Sequence, residues 1–306
     1  MKTVFLTGKG GVGKSTLAAA LAWQLASRER RVLAVSLDPA HNLGDLFGVT
    51  IGDGGVDYSE HLTLREADVE AAARRSLKQS MDLLRETYRY AGALQLDRAF
   101  DVLKFSPGVE EYAALVLLES VFRQERDRDV VVFDTPPTGL TLRILALPQV
   151  ALMWIERLVR VRRQILDKRH TIRRIAADEI GTGFEHLAYR EDDDRVMQKL
   201  TELGDRYARL REALCGGDNA IGVVFNPDEL SWHESRRLVE GLRSLRMPVR
   251  LAFSNRVTDD DSDRAERNEA RMRELLGDVP ILRVRREEGA MPGPQDIAED
   301  LTGCVP

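Results

Sequence analysis

Residues 8–16 read GKGGVGKST, a glycine-rich run that ends in a lysine and two hydroxyl side chains. The spacing Gly8-x4-Gly13-Lys14-Ser15 suits one kind of chemistry. Small residues let backbone N–H groups close on phosphate oxygens, the lysine reaches the β- and γ-phosphates, and the hydroxyl can ligate Mg2+. Gly10, Gly11, Val12 and Gly13 would form the cradle, with Lys14 and Ser15 at its end. Lys9 is a second cation where that rule asks for nothing. Two aspartates extend the set. Asp38, in SLDPAH, can orient or deprotonate an attacking water, although an Asp-Pro pair also makes an ordinary turn. Asp134, in FDTPPTG, stands where an acid would hold Mg2+ through water. Residues 135–139, rich in Pro and Gly, read as a segment able to swing with the γ-phosphate.

These groups need a frame that brings them to one edge. TVFLT (3–7) is a short apolar run entering the glycine loop, and KSTLAAALAWQLASRE (14–29) has helical spacing. RRVLAVSLD (30–38) follows as a buried strand, so the start of the chain is a βαβ unit with a right-handed crossover. DVVVFD (129–134), AIGVVFN (220–226) and PVRLAFSN (248–255) repeat the pattern of an apolar strand ending on a polar residue. The helical stretch LSWHESRRLVEGLRSL (230–245) separates the last two. In open parallel sheets ligands bind at the carboxyl ends of strands, where these polar residues fall. The fold class is α/β: a doubly wound, mostly parallel sheet.

Two helical stretches exceed what such a sheet needs, residues 69–126 and 148–214, and together they predict an inserted helical subdomain within a single domain spanning 1–306. In LMWIERLVRVRRQIL (152–166) the apolar residues Leu152, Ile155, Leu158, Val159, Val161 and Ile165 recur at helical spacing. REDDDR (190–195) reads as a solvated loop ending in a helix cap.

Composition sets bounds. Lys plus Arg number 45 and Asp plus Glu 50, a net charge of −5 that gives no case for nucleic acid. No run of about 18 apolar residues stands out, and the N-terminus opens as a strand, so neither signal peptide nor stable membrane insertion is expected. Cys215 and Cys304 lie far apart and form no CxxC pair, which suits a reducing cytoplasm.

KGGVGKST resembles the deviant Walker A motif of the dimeric P-loop NTPases, among them nitrogenase iron protein and the septum-positioning and plasmid-partitioning ATPases. That resemblance implies a homodimer in which Lys9 reaches the partner's nucleotide and acts on it as an arginine finger does. SLDPAHNLGDLFG (36–48), PGVEEYAAL (107–115), DTPPTGLTLRILALP (134–148), NPDELSWHESRRL (226–238) and FSNRV (253–257) together resemble the arsenite-pump and tail-anchored-protein-targeting ATPases over most of the chain. The resemblance implies ATP hydrolysis with Mg2+. Lys9, Lys14 and Asp38 would be catalytic, and Ser15, Asp38 and Asp134 would surround the metal. Thr16 would contact the α-phosphate and Asn255 the adenine edge.

The chain also departs from that family. DTPPTGLT stands where the family usually reads DTAPTGHT, so Pro136 replaces an alanine and Leu140 a histidine. The targeting ATPases' CxxC and the pump ATPases' metalloid-binding cysteines are missing. The resemblance leaves three partners open: a client transmembrane helix, a membrane channel that exports arsenite or antimonite, or another protein. For a client, Leu152, Met153, Trp154, Ile155, Leu158 and Val159 offer an apolar stripe, with Met81 and Met197 as adaptable additions.

Overall fold

Runs such as VVVF and VLAV leave no polar face to turn to water, so strands built from them must be covered on both sides. They form the middle of an eight-stranded sheet in the computed structural model of the chain, which describes residues 1–38, 42–52, 54–66, 108–175, 188–286 and 293–306. The strands are β1 (Lys2–Gly8), β2 (Val32–Ser36), β3 (Val56–Ser59), β4 (Leu62–Glu66), β5 (Val130–Asp134), β6 (Asn219–Phe225), β7 (Val249–Val257) and β8 (Ile281–Arg285). The described helices are α1 (Lys14–Ala26), α2 (Asn42–Phe47), α3 (Val109–Gln124), α4 (Thr138–Ile175), α5 (Arg195–Cys215), α6 (Glu229–Ser244) and α7 (Ser262–Leu276).

The sheet order is β3-β4-β2-β5-β1-β6-β7-β8, and every neighbouring pair is parallel except β3–β4. This is the doubly wound sheet expected from the sequence. Alternate residues divide between two cores, as a period of two requires. Val4, Leu6, Ala34, Val132 and Val224 pack under α1 and α2. Phe5, Val35, Phe133, Val223 and Phe225 pack under the other helices, with the Phe5 and Phe133 rings stacked 4.4 Å apart. Register brings the chemistry together: Asp134 lies opposite Leu6 on one side and Ser36 on the other, and Gly8 lies opposite Val224.

Four expectations change. The segment 135–139 is not all loop, because α4 begins at Thr138, with the Pro137 carbonyl accepting from Leu140 and Thr141. Two prolines stop β5, and the helix forms as soon as they end. Pro148 does not begin a new helical stretch either, since α4 runs through it to Ile175. Met197 is buried at 4% exposure and adds nothing to a groove, and Met81 lies outside the described residues. Finally, α4 is long and apolar enough to cross a membrane, with a mean hydropathy of 1.4 over an 18-residue stretch that is 22% buried. Arg143, Pro148 and Gln149 interrupt its apolar letters and hide this in the sequence. Core helices of water-soluble proteins share the property.

Helices α3, α4 and α5 pack on one another and are pinned by two ion pairs, one buried and one half-buried. Asp194 accepts from the Met197 N–H at 2.8 Å as the cap of α5, and takes both arms of the Arg162 guanidinium at 2.9 and 2.6 Å. The expected cap therefore exists, but it is buried at 3% exposure, not solvated. Glu119 on α3 receives Arg206 of α5 in the same bidentate way, at 2.9 and 2.5 Å. Asp194→Ala removes a cap and strands a mostly buried guanidinium, so urea melts should show a loss of about 3 kcal/mol. Asp194→Asn, which keeps the cap, should lose less.

Candidate functional site

The first loop is shaped by what its glycines avoid. A side chain at Gly8 would collide with the Val224 carbonyl, and one at Gly13, where φ is 95°, would collide with the Asn255 amide. Helix α1 then starts at Lys14 with no side-chain cap and no acid in its first turn, whereas α5 and α6 are capped by Asp194 and Asp228. Its first N–H groups therefore remain for an anion.

For those N–H groups to face inward, the loop carbonyls must find partners outside. Three side chains supply them. The Asn255 amide donates to the Val12 carbonyl at 2.7 Å, the Arg256 guanidinium to Gly11 at 2.8 Å, and the Lys14 ammonium to Lys9 at 3.1 Å. Arg256 holds a left-handed backbone, φ 58°, which costs a residue with a Cβ of order 1 kcal/mol. Nothing in the residue type of Arg256, within FSNRV, signals this role; the fold assigns it. Asn255, expected at the adenine edge, is buried at 6% exposure and commits one of its two N–H groups to the loop.

Beneath the loop sit the acids. Asp134, 1% exposed, lies with one carboxylate oxygen 3.4 Å from the Ser36 hydroxyl. Burial pushes its pKa up to about 6, against the pull of the Ser15 hydroxyl and the nearby Lys14 charge. Lys14 is buried at 5% exposure, and burial lowers its pKa, opposed by Asp134 and Asp38. The Asp38 N–H approaches the Ser36 hydroxyl at 3.3 Å, so Ser36 links the two aspartates, a connection the sequence did not reveal. The sequence thus named residues that the fold assembles: Lys14, Ser15, Asp38 and Asp134 interact in one cluster.

Lys9 stands apart from it. Its ammonium is 3.8 Å from the Asp228 carboxylate, which also caps α6 by accepting from Ser231 at 2.8 Å. Asp228 was not singled out in the sequence.

The residues fit Mg2+ and nucleotide phosphates. One Asp134 oxygen and the Thr138 hydroxyl are buried without a hydrogen-bond partner, a cost that a ligand would remove. Among the described residues no group of three or more His, Cys, Asp or Glu is placed to hold a metal ion. Mg2+ does not need one, since it commonly takes one or two protein oxygens together with water and phosphate.

A family profile described as anion-transporting ATPase matches residues 1–276. The chain belongs to that family, and it is an ATPase. It is 27% identical to an arsenical pump-driving ATPase 2 of Aquifex aeolicus over 84% of this chain and 80% of the relative. It is 31% identical to ATPase GET3 of Lachancea thermotolerans over 86% of this chain and 74% of that protein. A second Aquifex protein, arsenical pump-driving ATPase 1, is 27% identical over 78% of this chain, which spans only 58% of its length.

Two predictions follow from the geometry of this ATPase. Because the folded pKa of Asp134 is raised, the folded state binds the proton more tightly, so stability falls as pH rises from about 4 to about 6 and stays low above. Asp134→Asn should therefore raise the melting temperature of the nucleotide-free protein at pH 7, and the gain should shrink toward pH 4. The same variant should lose Mg2+-dependent ATP turnover. Arg256→Ala, which frees the Gly11 carbonyl, should weaken ATP binding about tenfold by isothermal titration, at a cost typical of one charge-assisted hydrogen bond.

Proposed function

We propose that this ATPase works as a Mg-ATP-driven homodimeric switch, in which hydrolysis controls the binding and release of a hydrophobic client, a transmembrane helix. The observation that carries the reading is the continuity of α4. It begins four residues after Asp134, at the edge of the nucleotide cluster, and extends through 38 residues to the far part of the helical unit. Residues 69–126 and 148–214 would build that unit.

In the hydrolytic step, the Gly10–Gly13 backbone and the first turn of α1 hold the phosphates, with Thr16 at the α-phosphate and Asn255 at the adenine. Lys14 neutralises charge on the β- and γ-oxygens. Asp38 orients the attacking water for in-line displacement, and the departing ADP keeps the bridging electron pair. Ser15 and Asp134, with Asp38 nearby, would hold Mg2+, which when bound supplies charge neutralisation between the β- and γ-phosphates. Lys9 leaves Asp228 and enters the partner's site, so closure of the dimer completes both centres.

The client's place is the cleft of about 390 Å³ between α4 and α5, where Leu152, Ile155 and Val159 share the lining with the charged Glu156, Arg160 and Arg163. A cleft of that size holds part of a helix; two copies, brought together by closure, would make a groove. The stripe expected from sequence divides here, because Met153, Trp154 and Leu158 point away to solvent at 54%, 59% and 48% exposure. The names of the Aquifex relatives favour a second reading, ATP-driven work on a membrane channel for arsenite. Trivalent metalloids bind grouped thiolates, and this chain has two cysteines. We place the protein in the cytoplasm on either reading.

Asp38→Asn should bind ATP normally and turn over at least about a hundredfold more slowly, as loss of a water-positioning acid implies, while Lys14→Ala should lose tight binding. With ATP, the Asp38→Asn protein should retain a detergent-free polypeptide bearing one C-terminal transmembrane helix, and with ADP it should release it. Retention in neither state, together with arsenite stimulation of the wild-type ATPase, would replace the client by the channel.

A further inference from the structure

The outer face of α4 is unlike the rest of the surface. Val150, Trp154, Leu158, Val161, Ile165 and Ile172 recur at steps of 4, 4, 3, 4 and 7, which keeps them on one side of a helix. All six are exposed, Trp154 at 59%, Val161 at 53% and Ile172 at 51%. The row covers about 33 Å of helix at 1.5 Å per residue. It lies outside the α4–α5 cleft, whose α4 apolar wall is made by Leu152, Ile155 and Val159.

Cations border this row. Arg157 and Lys168 are exposed along its flank, and the Arg157 guanidinium sits 5.9 Å from the Trp154 ring centre. Helix α4 carries nine Lys and Arg against two Asp and Glu, in a chain whose net charge is −5. Some of these cations turn inward: Arg162 pairs with Asp194, and Arg169 donates to the Ala188 carbonyl. Arg160 and Arg163 line the α4–α5 cleft, whereas Arg157 and Lys168 stay beside the apolar row.

We infer that the outer face of α4 docks in the plane of an anionic lipid bilayer. An apolar row that includes a tryptophan, with long cationic side chains on its border, matches what the headgroup–acyl boundary accepts. The apolar side chains enter the boundary while the cations meet lipid phosphates. The local positive charge against an acidic whole selects an anionic surface and orients the molecule on it. This surface is separate from the nucleotide cluster and from the client cleft, so the inference does not rest on the client reading.

The test is flotation of the full-length protein with vesicles of phosphatidylcholine alone or mixed with phosphatidylglycerol, alongside tryptophan fluorescence. The mixed vesicles should carry the protein at low salt, release most of it at high salt and shift tryptophan emission to the blue; the neutral ones should carry little. Arg157→Gln/Lys168→Gln should weaken partition on the order of thirtyfold. Val161→Ser/Ile165→Ser/Ile172→Ser should weaken it at least about tenfold. Both variants change exposed side chains and should keep wild-type ATPase activity, which reports that they fold. No flotation with anionic vesicles, equal flotation with neutral ones, or full binding by both variants would overturn the inference. So would capture of an acidic protein by this face with no lipid binding at all.

Discussion

A carboxylate buried at 1% exposure beside a lysine buried at 5% is the constraint on which the rest of this structure turns. Neither charge is comfortable there: burial moves the Asp134 pKa up and the Lys14 pKa down, each toward its neutral form. Burying two ionisable groups with an orphaned oxygen is a poor way to stabilise a protein. It is a good way to make a site whose charges await phosphate and a cation. The sheet order serves that arrangement, because placing β5 between β2 and β1 sets Asp134 beside Ser36 and under the loop that β1 feeds. The loop in turn keeps its shape through donors from β7, two strands away from β1, so three separate parts of the sheet close on one volume.

How much of this was legible before the structure depended on what carried the signal. The phosphate cradle and the strand-end aspartates announced themselves, since their chemistry requires particular residue types at fixed spacing. The central strands did so as well, through uninterrupted apolar runs. The strands β3, β4 and β8 are hard to read from sequence: β3 and β8 are short, partly exposed edge strands, and β4, though paired on both sides, is only five residues, LTLRE, with no clean period. Arg256 escaped notice because its role depends on a left-handed backbone that no residue type signals. Ser36 and Asp228 act through long-range partners that a one-dimensional pattern cannot contain. The apolar residues 152–159 were recognised as helical, yet a helix has more than one apolar face, and only packing against α5 separates the residues lining the cleft from those facing solvent.

Helix α4 connects the two halves of the account. Its first turn contains Thr138, whose hydroxyl is buried without a partner, and its length of 38 residues corresponds to about 57 Å. On the proposed reading, a change at the nucleotide edge that moves the first turn would be carried along the helix to α3 and α5, to which α4 is tied by packing and the Arg162–Asp194 pair. Ligand occupancy would thereby set the position of apolar surface, the kind of bistable coupling a nucleotide switch needs.

On the proposed reading Lys9 from a second copy completes the nucleotide site, which a mixture of two inactive proteins can check. Lys9→Ala keeps its own Lys14 and Asp38 but gives its partner nothing. Asp38→Asn has a dead centre of its own and an intact Lys9 to lend. Each alone should be inactive, and an equimolar mixture should recover ATP turnover, up to about a quarter of the wild-type rate for random pairing at one competent site per mixed dimer. A mixture as inactive as its parts, or a Lys9→Ala protein that hydrolyses ATP normally as a monomer, would contradict that reading.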